Sequence, residues 1–150
     1  MIKQRGFSAG ELIVVVAVMA LISVIIMSGF ISFRKNQALV LDTSTIIETL
    51  RQARNQTLSS KNSSTYGVHF ASSKITLFTG STYSSGSGSN QDFILSSTDT
   101  ILTISLSGGG SDVVFQKLSG ETAQNGTVTV SSPSSSQTKT VTIYKTGVVE

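Results

Sequence analysis

The stretch LIVVVAVMALISVIIMSGFISF, from Leu12 to Phe33, decides how this chain is organised. It contains no charged residue and no proline, and it is about 22 residues long. A helix rises about 1.5 Å per residue, so this length is sufficient to cross a bilayer core of about 30 Å. The run is far too long for a strand of a soluble core. We therefore predict a transmembrane helix over these residues.

Ser28 and Gly29 are the weak point of the predicted helix. Glycine inside a helix costs about 1 kcal/mol relative to alanine, and Gly/Ser pairs are a common site of bending. Two interpretations stay open: a tolerated small residue, or a place where the helix bends or loosens.

The apolar pattern changes after Arg34 and Lys35. Up to about Ser60, apolar positions recur every three or four residues, which is typical of one face of an amphipathic helix. These positions are Leu39, Thr43, Ile46, Ile47, Leu50, Ala53 and Leu58. Glu48, Arg51, Gln52 and Asn55 are expected on the solvent side. We predict one helix of about 50 residues, with a transmembrane half and an amphipathic half.

Alternating patterns rich in Val, Ile, Thr and aromatic residues follow, separated by turn-forming residues. The predicted strands are 66–70, 74–78, 93–95, 101–105, 113–116, 127–130 and 140–144. The Ser/Gly-rich stretch from Gly80 to Asn90 is predicted to be a mobile surface loop. The expected fold is α+β: the long N-terminal α-helix packs with its amphipathic half on an antiparallel β-sheet head.

Composition argues against catalysis and against metal binding. The chain has no cysteine, so it has neither a disulfide nor a thiolate metal site. His69 is the only histidine and is interpreted as a structural or surface residue. Neither a Gly-x-Ser-x-Gly elbow nor a phosphate-binding loop is present in the sequence. We predict a protein that is not an enzyme and that uses no metal and no cofactor.

The leader reads KQRGFSAGE, from Lys3 to Glu11, and leads directly into the apolar run. Glu11 is the only charged residue between Arg5 and Arg34. An acidic residue at the edge of a membrane helix is costly and is a functional candidate. Glu11 either lies solvated in the membrane interface, or it requires a cationic partner when helices bundle away from water.

This N-terminus resembles the type IV prepilin family, which includes the pseudopilins of type II secretion. The family signal is a basic leader ending in Gly, followed by Phe and then by Thr or Ser, with Glu as the fifth mature residue. Gly6, Phe7, Ser8 and Glu11 occupy those four positions. The resemblance implies cleavage after Gly6 by a prepilin peptidase, then N-methylation of Phe7. The new α-amino group of Phe7, on this chain or on a neighbour, would then pair with Glu11 during assembly.

The same resemblance implies the domain organisation and the location. Residues 1–6 form the leader, 7–33 the transmembrane and filament-core helix, 34–61 its amphipathic continuation, and 62–150 an exported β-rich head. Lys3 and Arg5 are balanced by Arg34 and Lys35, so charge alone does not orient the helix. The family implies a single-pass protein of the inner membrane with its N-terminus inside, which later enters a periplasmic or extracellular filament.

Four internal segments narrow the resemblance to the H-type (GspH/FimT-like) minor pseudopilins and minor pilins. They are Leu50 to Gln56, the extended segment after Tyr66, Val114 to Gly120 and Thr140 to Val149. Ser28 stands where many major pilins have a proline, and the cysteine pair of their C-terminal loop is missing. The sequence therefore favours a minor subunit.

The first functional hypothesis is a structural subunit of a type IV pilus or a type II secretion pseudopilus. Its partners would be other pilin-like subunits, an inner-membrane assembly platform and the prepilin peptidase/methyltransferase. A DNA-binding minor pilin is the second hypothesis, and it would require exposed cations such as Lys117, Lys139 and Lys145 on a head whose acidic residues outnumber its basic ones. A plain single-pass anchored domain is the third.

Overall fold

The computed structural model describes residues 8–133 and 136–150, without side-chain detail at positions 28, 31 and 32. Within these residues, it contains one long α-helix, a 3-10 turn over Lys61–Ser63 and seven strands. The bounds are α1 Ala9–Leu58, β1 Tyr66–Ala71, β2 Lys74–Thr79, β3 Gln91–Ile94, β4 Thr100–Leu106, β5 Asp112–Val114, β6 Gly126–Ser132 and β7 Gln137–Ile143. The predicted α+β class is confirmed, and each predicted strand overlaps an observed one.

Helix α1 continues through Gly29 and is divided between two compact units, with the boundary along the chain after Arg34. In the first unit, its large apolar side chains are exposed; in the second, one face is buried. The buried face consists of Leu39, Thr43, Ile46, Thr49, Leu50, Ala53 and Thr57. The spacing of three and four residues is that of an amphipathic helix.

The prediction that Leu58 completes this buried face is wrong. Leu58 is 37% exposed, whereas Thr57 is completely buried. The Thr57 hydroxyl donates to Ala53 O at 2.9 Å and accepts from the Tyr66 N–H at 2.9 Å. Thr57 therefore satisfies the first backbone donor of β1 and attaches this strand to the end of α1, a role that leucine cannot fill.

The strands form two antiparallel sheets. The four-stranded sheet has the order β3-β2-β1-β5, and the three-stranded sheet has the order β4-β6-β7. Val149 forms a bridge with Ile143, and Thr142 exchanges backbone hydrogen bonds with Glu150, so the chain end lies beside β7.

One hydrophobic cluster joins the second half of α1 to both sheets. It includes Leu39, Ile46 and Leu50 of α1, together with Val68, Phe70, Ile75, Val113, Val128, Val130, Val141 and Ile143 of the strands. Burying a side chain of this size contributes about 1.5–3 kcal/mol, so this cluster supplies most of the stability of the head.

Candidate functional site

The first turn of α1 places Glu11 next to the start of the helix. Its carboxylate Oε2 accepts a hydrogen bond from the Ser8 N–H at 2.9 Å, and Ser8 Oγ accepts from the Gly10 N–H at 3.4 Å. Ser-x-x-Glu at a helix start is the capping-box pattern, in which the two side chains satisfy free backbone donors. Glu11 therefore has a local structural role, signalled by its spacing from Ser8, that the sequence interpretation missed.

The predicted processing residues, Gly6 and Phe7, lie outside the described residues. Glu11 is exposed, and across residues 8–133 and 136–150 no cationic side chain forms an ion pair with it. Its pairing with the amino group of Phe7 thus stays a prediction.

The residues that follow Glu11 form an unburied apolar helix. The window Ala9–Met27 has a mean hydropathy of 2.7, and none of it is buried within the chain. By length and composition, this helix is sufficient to cross a membrane. An apolar helix surface of this extent requires lipid or other helices around it.

Three of the four segments that carry the H-type resemblance meet at Arg54. Its Nε donates to Gly120 O at 3.1 Å, and its Nη2 donates to Thr146 O at 3.4 Å. Arg51, one turn earlier, donates to Val149 O at 3.3 Å. We call this set of contacts the Arg54 junction. It attaches α1 to the loop before β6 and to the chain end, segments far apart in sequence.

Two glycines make room for the Arg54 junction. Gly120 and Gly147 have φ angles of 66° and 77°, in the left-handed region that favours glycine. A Cβ at Gly147 would overlap the Gly120 carbonyl oxygen and lie 2.7 Å from Arg54 Nε. A Cβ at Gly120 would lie 3.0 Å from the same Nε and from Leu58 Cδ1.

Two carboxyl groups meet where α1 packs against the segment between β3 and β4. Asp42 Oδ2 accepts from the Ser96 N–H at 2.8 Å, and the Asp99 carboxyl, 6% exposed, lies close to Asp42. Asp99 Oδ2 accepts no hydrogen bond among the described residues. Two ionised carboxylates repel each other, so a proton on one of them is favoured. Desolvation raises the pKa of Asp42; the Ser96 N–H opposes this shift, and Asp99 adds to it.

This arrangement predicts that the contribution of Asp42 to the stability of the head falls as pH rises. The native state holds the Asp42 proton more tightly than the unfolded chain does. The contribution of the protonated Asp42 carboxyl to the stability of the head is therefore complete at low pH, and it is lost as pH rises through the raised pKa. We expect Asp42→Asn to flatten this fall, since an amide both accepts from Ser96 and donates toward Asp99. Urea midpoints measured from acidic to neutral pH check this.

The control for this prediction is Asp92→Asn. Lys74 and Thr76 hydrogen bond to Asp92 and lower its pKa, so its contribution is lost as pH falls, the opposite direction. The Asp92→Asn variant should keep the loss of stability that Asp42 causes in the wild type as pH rises from acidic to neutral. Parallel profiles for wild type and Asp42→Asn would contradict a raised pKa of Asp42 in the folded head.

Of the three lysines of the DNA-binding hypothesis, Lys139 is separated from Lys145 along the chain, whereas Lys117 and Lys145 belong to segments that backbone hydrogen bonds join through residues 116, 121 and 122. Lys117 Nζ donates to Ser63 O at 2.5 Å. Lys139 lies inside β7 and Lys145 lies beyond its end, on the order of 20 Å farther along at about 3.3 Å per residue.

His69 Nδ1 lies 2.5 Å from Asp112 Oδ1, and its ring stacks on Tyr83. Residues 8–133 and 136–150 contain no cluster of three potential His, Cys, Asp or Glu metal ligands.

A comparison with family models identifies the head. The model described as "Type II transport protein GspH" matches residues 42–147. This range includes Arg54, Gly120 and Thr146, the residues joined at the Arg54 junction, and it excludes the apolar run. Neither curated proteins nor solved structures give a significant match.

Proposed function

The chain belongs to the GspH family of type II transport proteins, and on this premise we propose that it is a minor pseudopilin that is processed by prepilin peptidase and assembled through α1. GspH is a family of structural pseudopilins, so the function lies in assembly with other pseudopilins and not in catalysis. Among the alternatives, the DNA-binding hypothesis requires a concentrated basic surface, and the acidic residues of the head outnumber its basic ones.

The observation that carries the proposal is the apolar half of α1. The window Ala9–Met27 is long and apolar enough to span a membrane, and it belongs to the same helix as the family-matched segment beginning at Asp42. Before assembly, lipid would surround this surface; after assembly, helices of neighbouring subunits would. The apolar side chains tolerate both environments, which is what a subunit that leaves the membrane for a filament requires.

Processing would complete the site at the start of α1. Cleavage after Gly6 would create a new α-amino group at Phe7, the residue that directly precedes the capping box of Ser8 and Glu11 in the sequence. The carboxylate of Glu11 would then face a cation of this chain or of a neighbour. A charge buried among helices is tolerated only when its partner is also present. Because only the correct register of neighbouring helices would bring the two charges together, the ion pair would favour that register during assembly.

The proposed topology places the N-terminus in the cytoplasm and the head, residues 62–150, outside the inner membrane. Partners would be other pseudopilins, the inner-membrane assembly platform and the peptidase/methyltransferase. Residues 7–33 would act first as the membrane anchor and then as the filament core, while residues 34–61 hold the head.

Intact mass and N-terminal sequencing of the full chain, purified from membranes of cells with an active prepilin peptidase, test the proposal. We expect a chain that starts at N-methylated Phe7. The matched control is a Gly6→Leu variant, whose bulky side chain should block cleavage and leave Met1 at the N-terminus. A wild-type chain that still starts at Met1 under these conditions would refute processing.

A further inference from the structure

The outer face of the three-stranded sheet carries only hydroxyl side chains in its two central rows. Strand register places six residues there: Ser105, Thr127 and Thr142 in one row, and Thr103, Thr129 and Thr140 in the next. We call these six residues the hydroxyl face. The alternate residues of the same strands, such as Val128, Val130 and Val141, point into the core, so the hydroxyl face points away from it.

The hydroxyl face is accessible and stiff. Thr103, Ser105 and Thr140 are exposed, and the other three residues are half-buried. The Thr129 and Thr140 hydroxyls lie 3.4 Å apart. Threonine is restricted at χ1, so it loses little freedom when covered, and its hydroxyl rotates to donate or to accept. Such a surface can be buried without desolvating a charge.

Two apolar side chains flank the hydroxyl face. Leu102 lies at a bulge in β4, where the register shifts between Ile101 and Thr103, and it is 61% exposed. Tyr144 follows β7 and is 45% exposed, with its hydroxyl 3.3 Å from Glu150 Oε2. Bulges re-aim side chains, and aromatic residues are enriched at the centres of protein interfaces.

The four-stranded sheet has a different outer face. Tyr83 of the Ser/Gly loop stacks on His69 with ring centroids 3.9 Å apart and meets the edge of Phe78 at 5.6 Å. Lys74 and Asp92 form an ion pair on the same side of that sheet. That face is thus covered by its own loop and carries charge. The six side chains of the hydroxyl face are uncharged, and the Glu150 carboxylate lies beside this face, 3.3 Å from the Tyr144 hydroxyl.

We infer that the hydroxyl face, with Leu102 and Tyr144, is a contact surface for the head of a second pseudopilin in the assembled filament; this inference rests on the proposed function. With strands about 4.8 Å apart and alternate residues about 6.8 Å apart, the six side chains cover roughly 200 Å². A stable interface between free proteins buries about 800 Å² per partner. The face is therefore too small to capture a free partner, but it suffices for one already held nearby by its own anchored helix.

The absence of cysteine allows a direct test in the full chain. Single cysteines at Thr140, Gln91 and Val18 are labelled with a benzophenone maleimide in cells that express the complete secretion system, and then irradiated. Thr140 samples the hydroxyl face, Gln91 is an exposed strand residue of the other sheet, and Val18 samples the apolar helix. Adducts are identified by mass spectrometry.

We expect Thr140→Cys to give about fivefold more adduct with another pilin-like subunit than Gln91→Cys does, because only the first is held beside a partner. Val18→Cys should also give such adducts. If Val18→Cys gives them while Thr140→Cys does not exceed Gln91→Cys, the contact surface is refuted and assembly stands. If neither Val18→Cys nor Thr140→Cys gives them, although intact mass shows that both cysteines carry the label, the proposed function itself fails.

A second readout uses charge in place of cross-linking. Thr140→Lys puts an ammonium group on the hydroxyl face, whereas Gln91→Lys puts one on the other sheet at an exposed position. Burying an unpaired charge is costly, so we expect Thr140→Lys to lower recovery of the chain with its partner subunits about tenfold. Gln91→Lys should leave recovery unchanged. Equal recovery for both variants, with equal thermal stability, contradicts the inference.

Discussion

Glu11→Gln is expected to stop the chain from entering filaments while leaving it folded and in the membrane. Glutamine accepts the Ser8 N–H bond as glutamate does, so the capping box survives and only the charge is lost. The amino group of Phe7 would then be buried without a partner, at a cost of about 3 kcal/mol. We expect recovery of the chain with sheared or affinity-purified filaments to fall about a hundredfold.

Ser8→Ala is the matched control for Glu11→Gln. It removes the hydroxyl half of the capping box, worth about 1 kcal/mol in a helix, and leaves the Glu11 carboxylate charged. Filament recovery should stay near the wild-type level. If Ser8→Ala fails to assemble and Glu11→Gln assembles normally, then Glu11 acts as a helix cap, and the ion-pair proposal is wrong. Both variants need equal membrane levels for this comparison.

The α-helix was predictable because its two halves have different periodicities. Leu12 to Phe33 is apolar on every side, whereas Leu39 to Ala53 has one apolar stripe, and the structure buries that stripe only. At the end of the stripe, apolarity alone was misleading, because Thr57 is buried through two hydrogen bonds and Leu58 is not buried. Hydrophobic patterns do not report which position also has to satisfy a backbone donor.

The strands were predictable in type and less so in their bounds. The segment 93–95 was predicted from its apolar residues, yet β3 is Gln91–Ile94, because pairing with β2 begins where Gln91 meets Leu77. Similarly, Phe115 and Gln116 lie beyond β5, and Phe115 instead forms a bridge with Thr122. Bounds depend on partner strands, which composition does not specify.

The Arg54 junction and the Asp42–Asp99 pair were out of reach of local sequence reasoning. Arg54 meets Gly120 and Thr146 across 66 and 92 residues of chain, and Asp42 meets Ser96 across 54. These contacts exist only after both sheets have folded against α1. The resemblance to the H-type proteins includes the three segments of the junction, but the sequence does not show why these segments belong together. The structure supplies the reason, since all three converge on one guanidinium group.

The loop from Gly80 to Asn90 illustrates the same limit. Its Ser/Gly composition predicts a mobile loop, but it also contains Tyr83, which stacks on His69 and contacts Phe78. Asn90 Nδ2 donates to Ser84 O at 2.8 Å and closes the loop on itself. One aromatic residue is sufficient to attach a polar loop to a sheet, and its partners lie on strands that the loop composition does not reveal.

The second large effect is expected for Gly147→Ala, which should strongly destabilise the head. The φ of 77° alone costs a non-glycine residue about 1 kcal/mol. The added Cβ would also overlap the Gly120 carbonyl and crowd Arg54 Nε, so the backbone at 120 or at 147 has to move. That movement breaks the Arg54 hydrogen bonds to Gly120 O and Thr146 O. We expect a total loss of about 3–4 kcal/mol in unfolding free energy.

Gly109→Ala separates the backbone conformation from the packing. Gly109 has a φ of 73°, nearly that of Gly147, but a Cβ there meets nothing within 4 Å. Its variant should lose only the cost of the conformation, about 1 kcal/mol. Urea unfolding of the full chain in detergent, followed by tyrosine fluorescence, reports on the head, because Tyr66, Tyr83 and Tyr144 all lie there and the chain has no tryptophan. Equal losses for the two glycine variants would show that the Arg54 junction contributes little. A clearly larger loss for Gly147→Ala and for Arg54→Ala than for Gly109→Ala would identify this junction as the contact that holds residues 146–149 on α1.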